Sequence, residues 1–320
     1  MKENKIWKFL FNELKSGRRA VLLLVVNSKG SSPGRAGFKL ILSESGETVG
    51  TIGGGAVEHN LIMQAKEMLR SADLKSEIVR QIHSEENAEF SSGMICSGEQ
   101  TVVAFQMNNQ NLPIVKSCLS ASENFSKTHF VITPDSFEYI NKVLKHDAEP
   151  FRYVSETEWE YRENICSLSE IHIFGAGHVC LALCELLNKL DFFISIYDDR
   201  DNLLLMEENK YTHRKFVLSY DSVSDKIENN SEAYYLIMTH SHMGDAKVLS
   251  QLINKPYKYL GMMGSPVKVK EVFEELQSGG ISREKLLKVH APVGLPIHSK
   301  TVDEIAVSIA AELIKIKNAG

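Results

Sequence analysis

The sequence predicts an α/β protein in which an N-terminal α+β domain is followed by a C-terminal Rossmann-like, doubly wound parallel sheet. Two observations predict this fold class. Strand-like runs of the first half are joined by hairpin turns, whereas strands and helices alternate through the second half. The length of 320 residues also suffices for about two domains, each with its own core. We expect an N-terminal domain at residues 1–145, a linker at 146–169 and a Rossmann-like domain at 170–320.

The first half begins with a stretch, MKENKIWKFLFNELKSGRR, whose apolar residues recur at helical spacing. This stretch lacks the uninterrupted apolar core of a signal peptide. Residues 20–26 (AVLLLVV) form a continuous apolar run, as in a strand that is buried on both faces. The segment FKLILSESGETVGTI then predicts a hairpin, and strand-like runs follow at SEIVRQI, QTVVAFQ, HFVITP and EYINKVL.

Three consecutive glycines, Gly53, Gly54 and Gly55, separate the hairpin from a predicted helix that begins near Val57. Glycine allows the main chain to approach a neighbouring group closely. The helix end behind the glycines can also attract an anion. A purely structural turn is the alternative interpretation. Either role would depend on backbone groups, with Glu58 as a nearby carboxylate.

Composition narrows the classes of function. The net charge of -5 and the absence of a long lysine–arginine run argue against nucleic-acid binding. No apolar stretch approaches the roughly 20 residues that cross a bilayer, so we expect no membrane segment. The five cysteines are an odd number without a paired framework. This pattern predicts free thiols and a cytoplasmic location.

The motif with the clearest context lies in IHIFGAGHVCLALCELL, residues 171–187. A strand is followed by a turn at Gly175, Ala176 and Gly177 and then by a helix beginning near His178. A phosphate could therefore bind the free N–H groups of a helix N-terminus. Asp198 lies 23 residues after Gly175, where the dinucleotide fingerprint expects an acid that binds a ribose hydroxyl.

Two neighbouring residues modify this motif. The third fingerprint position, normally glycine or alanine, is Cys180, which is still small enough for close packing of helix on strand. The acid at position 198 favours an NAD-like ligand over an NADP-like one, whereas Arg200 beside it weakens that preference.

Two further polar clusters follow predicted strands of the second half. His240, His242 and Asp245 lie in LIMTHSHMGDA, and Gly264 and Ser265 end YLGMMGS. The carboxyl ends of parallel strands meet at one edge of a sheet, so we expect these loops to form one crevice with the glycine turn. Imidazole and carboxylate are zinc ligands, which leaves a metal site open. The alternative is a polar loop in which Asp245 lies at the start of a helix.

Cys96 lies between small residues in SSGMICSGEQTVVAF, just before a predicted strand. A thiolate in such a turn is a nucleophile and a soft metal ligand. An ordinary structural cysteine is the alternative.

The whole chain resembles the XdhC/CoxI family, the accessory factors of xanthine dehydrogenase and related molybdenum hydroxylases. The resemblance rests on ordered motifs: GSSPGRAGFKLIL, GTIGGGAVEHNL, GMICSGEQTVVAF, IHIFGAGHVCLALCELL with YDDR, MTHSHMGDAKVL, YLGMMGSPVKV and HAPVGLPIHSKTVDEIAVSIAAEL. It implies that the chain binds molybdenum cofactor, protects it during sulfuration and delivers it to an apo-enzyme. It also implies that the family's glycine loop corresponds to residues 53–58 and its cysteine–glycine turn to Cys96, Ser97 and Gly98.

Two positions depart from the family pattern. Ala56 stands where some relatives have a cysteine, and Ser97 stands where a glycine often follows the cysteine. A role that needs a second thiol beside the glycines is therefore not expected.

The sequence leaves three functions open. The first is the accessory role, in which the chain binds and hands over the cofactor more than it turns over substrate. Its partners would be a cofactor-free molybdenum hydroxylase, a cysteine desulfurase and a second copy of the chain. The second is an NAD(P)-dependent oxidoreductase that uses Gly175, Gly177 and Asp198, with His178, His240 and His242 as acid–base candidates. The third is a metal-dependent hydrolase at His240, His242 and Asp245.

Overall fold

The computed structural model describes residues 2–71, 76–83, 98–126, 128–144, 149–165 and 168–319. The chain divides into two compact units, Met1–Ser167 and Leu168–Gly320. The first unit is α+β and the second is a parallel sheet with helices on both faces, so the predicted fold class is confirmed.

The first unit contains three α-helices and nine strands among its described residues. The helices are α1 (Lys2–Lys15), α2 (Gly55–Arg70) and α3 (Leu112–Glu123). The strands are β1 (Ala20–Gly30), β2 (Lys39–Ser43), β3 (Thr48–Gly50), β4 (Ser76–His83), β5 (Gly98–Met107), β6 (Thr128–Ile132), β7 (Phe137–Ile140), β8 (Phe151–Ser155) and β9 (Glu158–Ile165).

These strands form two antiparallel sheets. One has the order β3-β2-β1-β5-β4 and contains the predicted hairpin, in which Leu42 pairs with Thr48. The other has the order β7-β6-β9-β8. Successive residues of β1 serve opposite faces: Leu22 packs in a core with Trp7 of α1, whereas Leu23 packs in a second core with Leu61 of α2. The apolar run at residues 20–26 is therefore buried on both faces, as predicted.

Residues predicted as a linker include two strands of the first unit. The chain between 146 and 169 contains β8 and β9, and β9 pairs with β6 in the second sheet. Trp159, Tyr161 and Ile165 of β9 are buried in the core against α1 and α3. The polar residues between them gave the segment the composition of a linker, but the alternation of apolar and polar side chains is that of a half-buried strand. The two units divide between Ser167 and Leu168.

The second unit alternates strands and helices. Its strands are β10 (Ser169–Phe174), β11 (Phe192–Asp198), β12 (Arg214–Val217), β13 (Tyr234–Ile237) and β14 (Tyr259–Met262). Its helices are α4 (His178–Lys189), α5 (Leu204–Glu207), α6 (His242–Leu252), α7 (Pro266–Ser278), α8 (Arg283–Leu286) and α9 (Val302–Asn318).

All strand pairs of the second unit are parallel, in the order β12-β11-β10-β13-β14. Alternate residues of each strand face opposite layers. Ile171 and Ile173 of β10 pack with α4 and α9, while Phe174 packs with α6 and α7. The order of the strands reverses at β10, so the gap between β10 and β13 is the place where open α/β sheets bind ligands.

Two further sequence expectations concern the environment of the chain. Of the helices that the structure describes, none is both long and apolar enough to cross a bilayer. The side chains of Cys118, Cys180 and Cys184 are buried. Cys96 and Cys166 lie outside the described residues.

Candidate functional site

The glycine at position 53 is required because the loop at Pro33 and Gly34 packs directly against its backbone. Its φ is +124°, and a Cβ atom there would lie 2.6 Å from both the Gly34 nitrogen and the Pro33 carbonyl carbon. Side chains cannot occupy such a position unless the backbone moves. The backbone at Gly53 therefore does approach a neighbouring group closely, as predicted, and that group is the loop at Pro33 and Gly34.

Glu58 holds the glycine loop together. Its Oε2 accepts hydrogen bonds from the Thr51 hydroxyl at 2.7 Å and from the N–H groups of Ile52 and Gly54 at 2.9 and 3.0 Å. A carboxylate at the start of α2 thus organises the loop from within. Because three donors already bind Oε2, this oxygen of Glu58 positions the loop.

The N-terminus of α2 is the open part of this loop. Gly54, which precedes the helix, makes no side-chain cap, and a Cβ atom on it would meet no heavy atom within 4 Å. Gly55 and Ala56 are exposed. The first N–H groups of a helix have no intrahelical acceptor. These backbone donors can therefore meet an anionic group that approaches from solvent.

Gly98 brings a third segment to the same loops. A Cβ atom on it would lie 2.6 Å from the Ser31 carbonyl carbon, and the buried Gln100 accepts the Gly34 N–H at 3.1 Å. The sequence analysis did not single out Gly34 or Gln100. The segments that contain them, SSPG and SGEQ, are nevertheless rich in residues that are typical of turns. Cys96, which precedes this segment, lies outside the described residues.

The glycine turn of the second unit has the predicted strand–turn–helix context. Gly175 has φ +106°, and a Cβ atom on it would lie 2.2 Å from the Met238 carbonyl oxygen after β13. Gly177 has an ordinary φ of -80° and open space in front of it, and it precedes α4 without a side-chain cap. Cys180 is buried and packs against Cys184 with the sulfurs 3.8 Å apart. A cysteine at the third fingerprint position therefore still allows close packing of α4.

Asp198 lies beside this turn, as predicted, but all of its side chain is buried. Oδ2 accepts the Ala176 N–H at 2.7 Å and Nη2 of Arg200 at 2.8 Å, while Oδ1 accepts the N–H and Nε of Arg200. Burial alone would raise the pKa of Asp198, but the hydrogen bonds from Arg200 and Ala176 outweigh it and lower that pKa. The carboxylate ties the glycine turn to Arg200.

The three residues proposed as metal ligands do not meet. Asp245 is fully buried, where it accepts the N–H and hydroxyl of Thr239 and forms an ion pair with Lys268. His242 is the exposed first residue of α6. Among the described residues, the group that could converge on an ion is instead Asp198, Asp199 and His240.

The prediction of a metal hydrolase at His240, His242 and Asp245 is therefore wrong in its ligand set. The physical reason is that Asp245 caps the end of β13 from inside the fold. Asp245 does lie in the first turn of α6, as the alternative expected, but the cap of that helix is the Ser241 hydroxyl, which accepts the Gly244 N–H.

The remaining candidates mark helix starts at the same edge of the sheet. The Ser265 hydroxyl caps α7 by accepting the Lys268 N–H at 3.2 Å, and Gly264 lies under the Lys268 side chain. His178 is the exposed first residue of α4. The structure thus brings the loops after β10, β11, β13 and β14 to one carboxyl edge, as expected, and adds Asp199, which the sequence did not single out. The feature of the sequence that could have indicated Asp199 is its position directly after Asp198.

Two family models match this chain. The model described as the XdhC and CoxI family matches residues 13–80, and the model described as the XdhC Rossmann domain matches residues 171–313. The first lies in the first unit and includes the glycine loop. The second covers nearly all of the second unit and includes the loops at the carboxyl edge of its sheet.

Three curated proteins are similar over most of this chain. Uncharacterized protein YqeB of Escherichia coli is 24% identical over 92% of this chain but only 43% of its own length, so this chain spans less than half of it. A Bacillus subtilis protein described as a probable xanthine dehydrogenase subunit is 22% identical, over 95% of each chain. Molybdenum cofactor insertion chaperone PaoD of Escherichia coli is 22% identical over 98% of this chain and 88% of its own length.

A solved structure described as a xanthine dehydrogenase from Bacillus halodurans has the same fold. It superposes with a TM-score of 0.77, covers 100% of this chain and 96% of its own, and shares 21% identity. At that identity, the likeness establishes the architecture of both units.

Proposed function

This chain belongs to the XdhC/CoxI family, and from that membership we propose that it binds molybdenum cofactor and inserts it into a xanthine dehydrogenase-type molybdenum hydroxylase. In this role it also protects the cofactor while a cysteine desulfurase supplies sulfur. The chain acts by binding and handover, and its partners are the apo-enzyme and the desulfurase.

One observation carries the proposal. Both family domains occur in one chain, and the same chain aligns along 88% of a relative named as a molybdenum cofactor insertion chaperone. The relative from Bacillus subtilis, named for xanthine dehydrogenase, aligns over 95% of each chain. The relatives with a functional name thus concern the same cofactor or an enzyme that contains it.

The geometry of the glycine loop suits such a cargo. Molybdenum cofactor is a pterin that carries a phosphate and a dithiolene, so a carrier needs backbone donors for anionic oxygens and room for a flat ring. Glu58 holds the loop in shape, while Gly54 has open space in front of it and Gly55 is exposed, so the first turn of α2 is accessible. The cargo's phosphate would bind there, where aligned peptide dipoles favour negative charge.

Cys96 is the proposed soft ligand of the cargo. The resemblance assigns the cysteine–glycine turn to the same site as the glycine loop, and a thiolate suits molybdenum better than hard oxygen ligands do. Ala56 means that the loop at residues 53–58 supplies no second thiol.

The test is to purify the protein from a host that makes the cofactor and to measure bound molybdenum by elemental analysis and bound pterin by fluorescence. Wild type is expected to carry both, and Cys96→Ala to carry much less of either. Cys118→Ala, which removes a buried thiol of α3, is the matched control and is expected to load normally. Wild-type protein that contains neither molybdenum nor pterin would contradict the proposal.

A further inference from the structure

Helix α9 of the second unit exposes apolar residues on the side that faces away from its core. Ala306, Ile309 and Leu313 are buried against the sheet and α4. On the other side, Val307 is 49% exposed and Ile314 is 38% exposed. A surface helix normally carries polar residues on its outer side. The outer side of α9 therefore differs from the solvent-facing side expected of such a helix.

The exposed apolar residues of α9 form a line along the helix, which we call the outer stripe. It consists of Val307, Ala311 and Ile314, which follow each other at intervals of four and three residues. This spacing is that of a seam between two packed helices. Ala311, in the middle of the stripe, is small enough to let a second helix approach closely. In α4, which packs beside α9, Ala182 and Leu186 are also only half-buried and extend the apolar surface.

Two exposed charges of opposite sign lie at the two ends of the outer stripe. Glu304 precedes Val307 by one turn, and Lys315 follows Ile314 directly. The step from 304 to 315 is about three turns of helix, so both charges lie on the same flank of the stripe. Hydrogen bonds from the Thr301 and Lys300 N–H groups lower the pKa of Glu304, so its carboxylate is ionised at neutral pH.

This arrangement is complementary to itself when two copies of α9 run antiparallel. With a two-fold axis at Ala311, Val307 of one copy meets the partner's Ile314, and the two alanines face each other. Glu304 then meets the partner's Lys315, and the same ion pair recurs at the other end of the contact. A parallel pair would instead bring like charges together at both ends, which is unfavourable.

The other strongly exposed apolar residues of the second unit lack this pattern. Val267 in the first turn of α7 is 67% exposed, but Lys270 and Glu271 occupy the next positions on its side of the helix. Met243 in the first turn of α6 is 61% exposed and is followed one turn later by Lys247. Single exposed apolar side chains of this kind are common on protein surfaces.

We propose that two copies of this chain associate through the outer stripes of α9, antiparallel about a two-fold axis at Ala311. The interface is isologous, because each copy contributes the same surface. Apolar contact along about 25 Å of helix supplies its centre, and the two Glu304–Lys315 pairs fix its direction. This surface belongs to the second unit and is separate from the cargo site proposed for the first.

The first test is the oligomeric state of cofactor-free protein, measured by sedimentation over a range of protein concentrations. Wild type is expected to form dimers. Val307→Glu places two unpaired charges in the interface and is expected to raise the dissociation constant of the dimer at least about 100-fold. Val267→Glu, the same substitution at an exposed valine of α7, is the matched control and is expected to leave dimerisation unchanged. Circular dichroism verifies that both variants are folded.

The second test locates the two-fold axis. Ala311→Cys places two thiols at the axis, so a short bismaleimide is expected to link two chains, as seen by denaturing electrophoresis. Val267→Cys and wild type, treated in the same way, are expected to give no such increase in linked chains, which accounts for reaction at the native cysteines.

The third test concerns the ion pairs. Lys315→Glu brings two carboxylates together at each end of the contact and is expected to raise the dissociation constant roughly 10-fold at low salt and less at high salt.

Three results would overturn the proposal. One is wild-type protein that stays monomeric at every concentration. Another is a dimer that Val307→Glu weakens no more than Val267→Glu does. The third is Ala311→Cys protein that links no better than wild type. A dissociation constant that Lys315→Glu leaves unchanged at low salt would overturn the antiparallel direction.

Discussion

Replacing Gly175 by alanine tests how the two halves of the second sheet meet. At this residue the chain leaves β10 with φ +106°, directly against the Met238 carbonyl that follows β13. A Cβ atom would lie 2.2 Å from that oxygen, which is far inside van der Waals contact. Since the obstacle is backbone, the ends of β10 and β13 would have to separate.

The cost has two parts. A non-glycine residue held in this region of φ costs about 1–3 kcal/mol. Forcing an extra carbon into a packed region costs typically about 1–3 kcal/mol more. Together they predict a loss of about 4 kcal/mol in the free energy of unfolding of the second unit. For a unit of about 150 residues this lowers the melting temperature by roughly 8–16 °C.

Gly177→Ala is the matched control, because it adds the same methyl group two residues away. Its φ of -80° suits alanine, and the added carbon would meet no atom within 4 Å. Alanine is a poorer N-cap residue than glycine, which lowers stability, but it also makes the unfolded chain less flexible, which raises stability. Because these two effects roughly offset each other, we expect the free energy of unfolding to change by less than about 1 kcal/mol. Thermal melting followed by circular dichroism compares both variants with wild type. Equal melting temperatures for the two variants would refute the reasoning.

Three further predictions concern the rest of the chain. Hydrogen bonds from Arg18 lower the pKa of the buried Glu13 from 4.5 to about 2. The ionised Glu13 should therefore contribute about 2 kcal/mol to the free energy of unfolding above pH 4.5, a value reduced because Arg18 is partly exposed, and this contribution should disappear toward pH 2. Urea unfolding of wild type and Glu13→Gln at a series of pH values would measure it. A difference between the two proteins that does not change with pH would contradict the prediction. Trp159→Ala should destabilise the first unit by about 3–5 kcal/mol, because Trp159 of β9 is buried in its core. Val154→Ala, at an exposed position of β8, should change the stability little. Similar denaturation midpoints for the two variants would indicate that residues 151–165 are a linker. Thr301→Ala removes the capping box of α9 and should cost about 1 kcal/mol by the same assay, with no loss arguing against the cap.

Local patterns were sufficient to predict most elements. The strand, glycine turn and helix around Gly175 follow from hydrogen bonding and side-chain spacing within about twenty residues, and the structure contains them with nearly the expected ends. The same holds for the hairpin before Gly53. The linker prediction failed because composition was weighted above alternation, although Trp159 and Tyr161 were already spaced as in a strand.

By itself, the sequence determined the fold class and the order of most elements, because these follow from patterns among near neighbours in the chain. It also determined the edge of the second sheet where the polar loops gather, because the carboxyl ends of parallel strands share one edge. Only the tertiary structure decided what each glycine and each aspartate faces. Gly53 meets Pro33, some twenty residues earlier in the chain, and Asp198 turns inward to Ala176 and Arg200 while its neighbour Asp199 stays accessible. Adjacent side chains at a strand end point in different directions, and which of them is buried depends on the partners that distant segments provide.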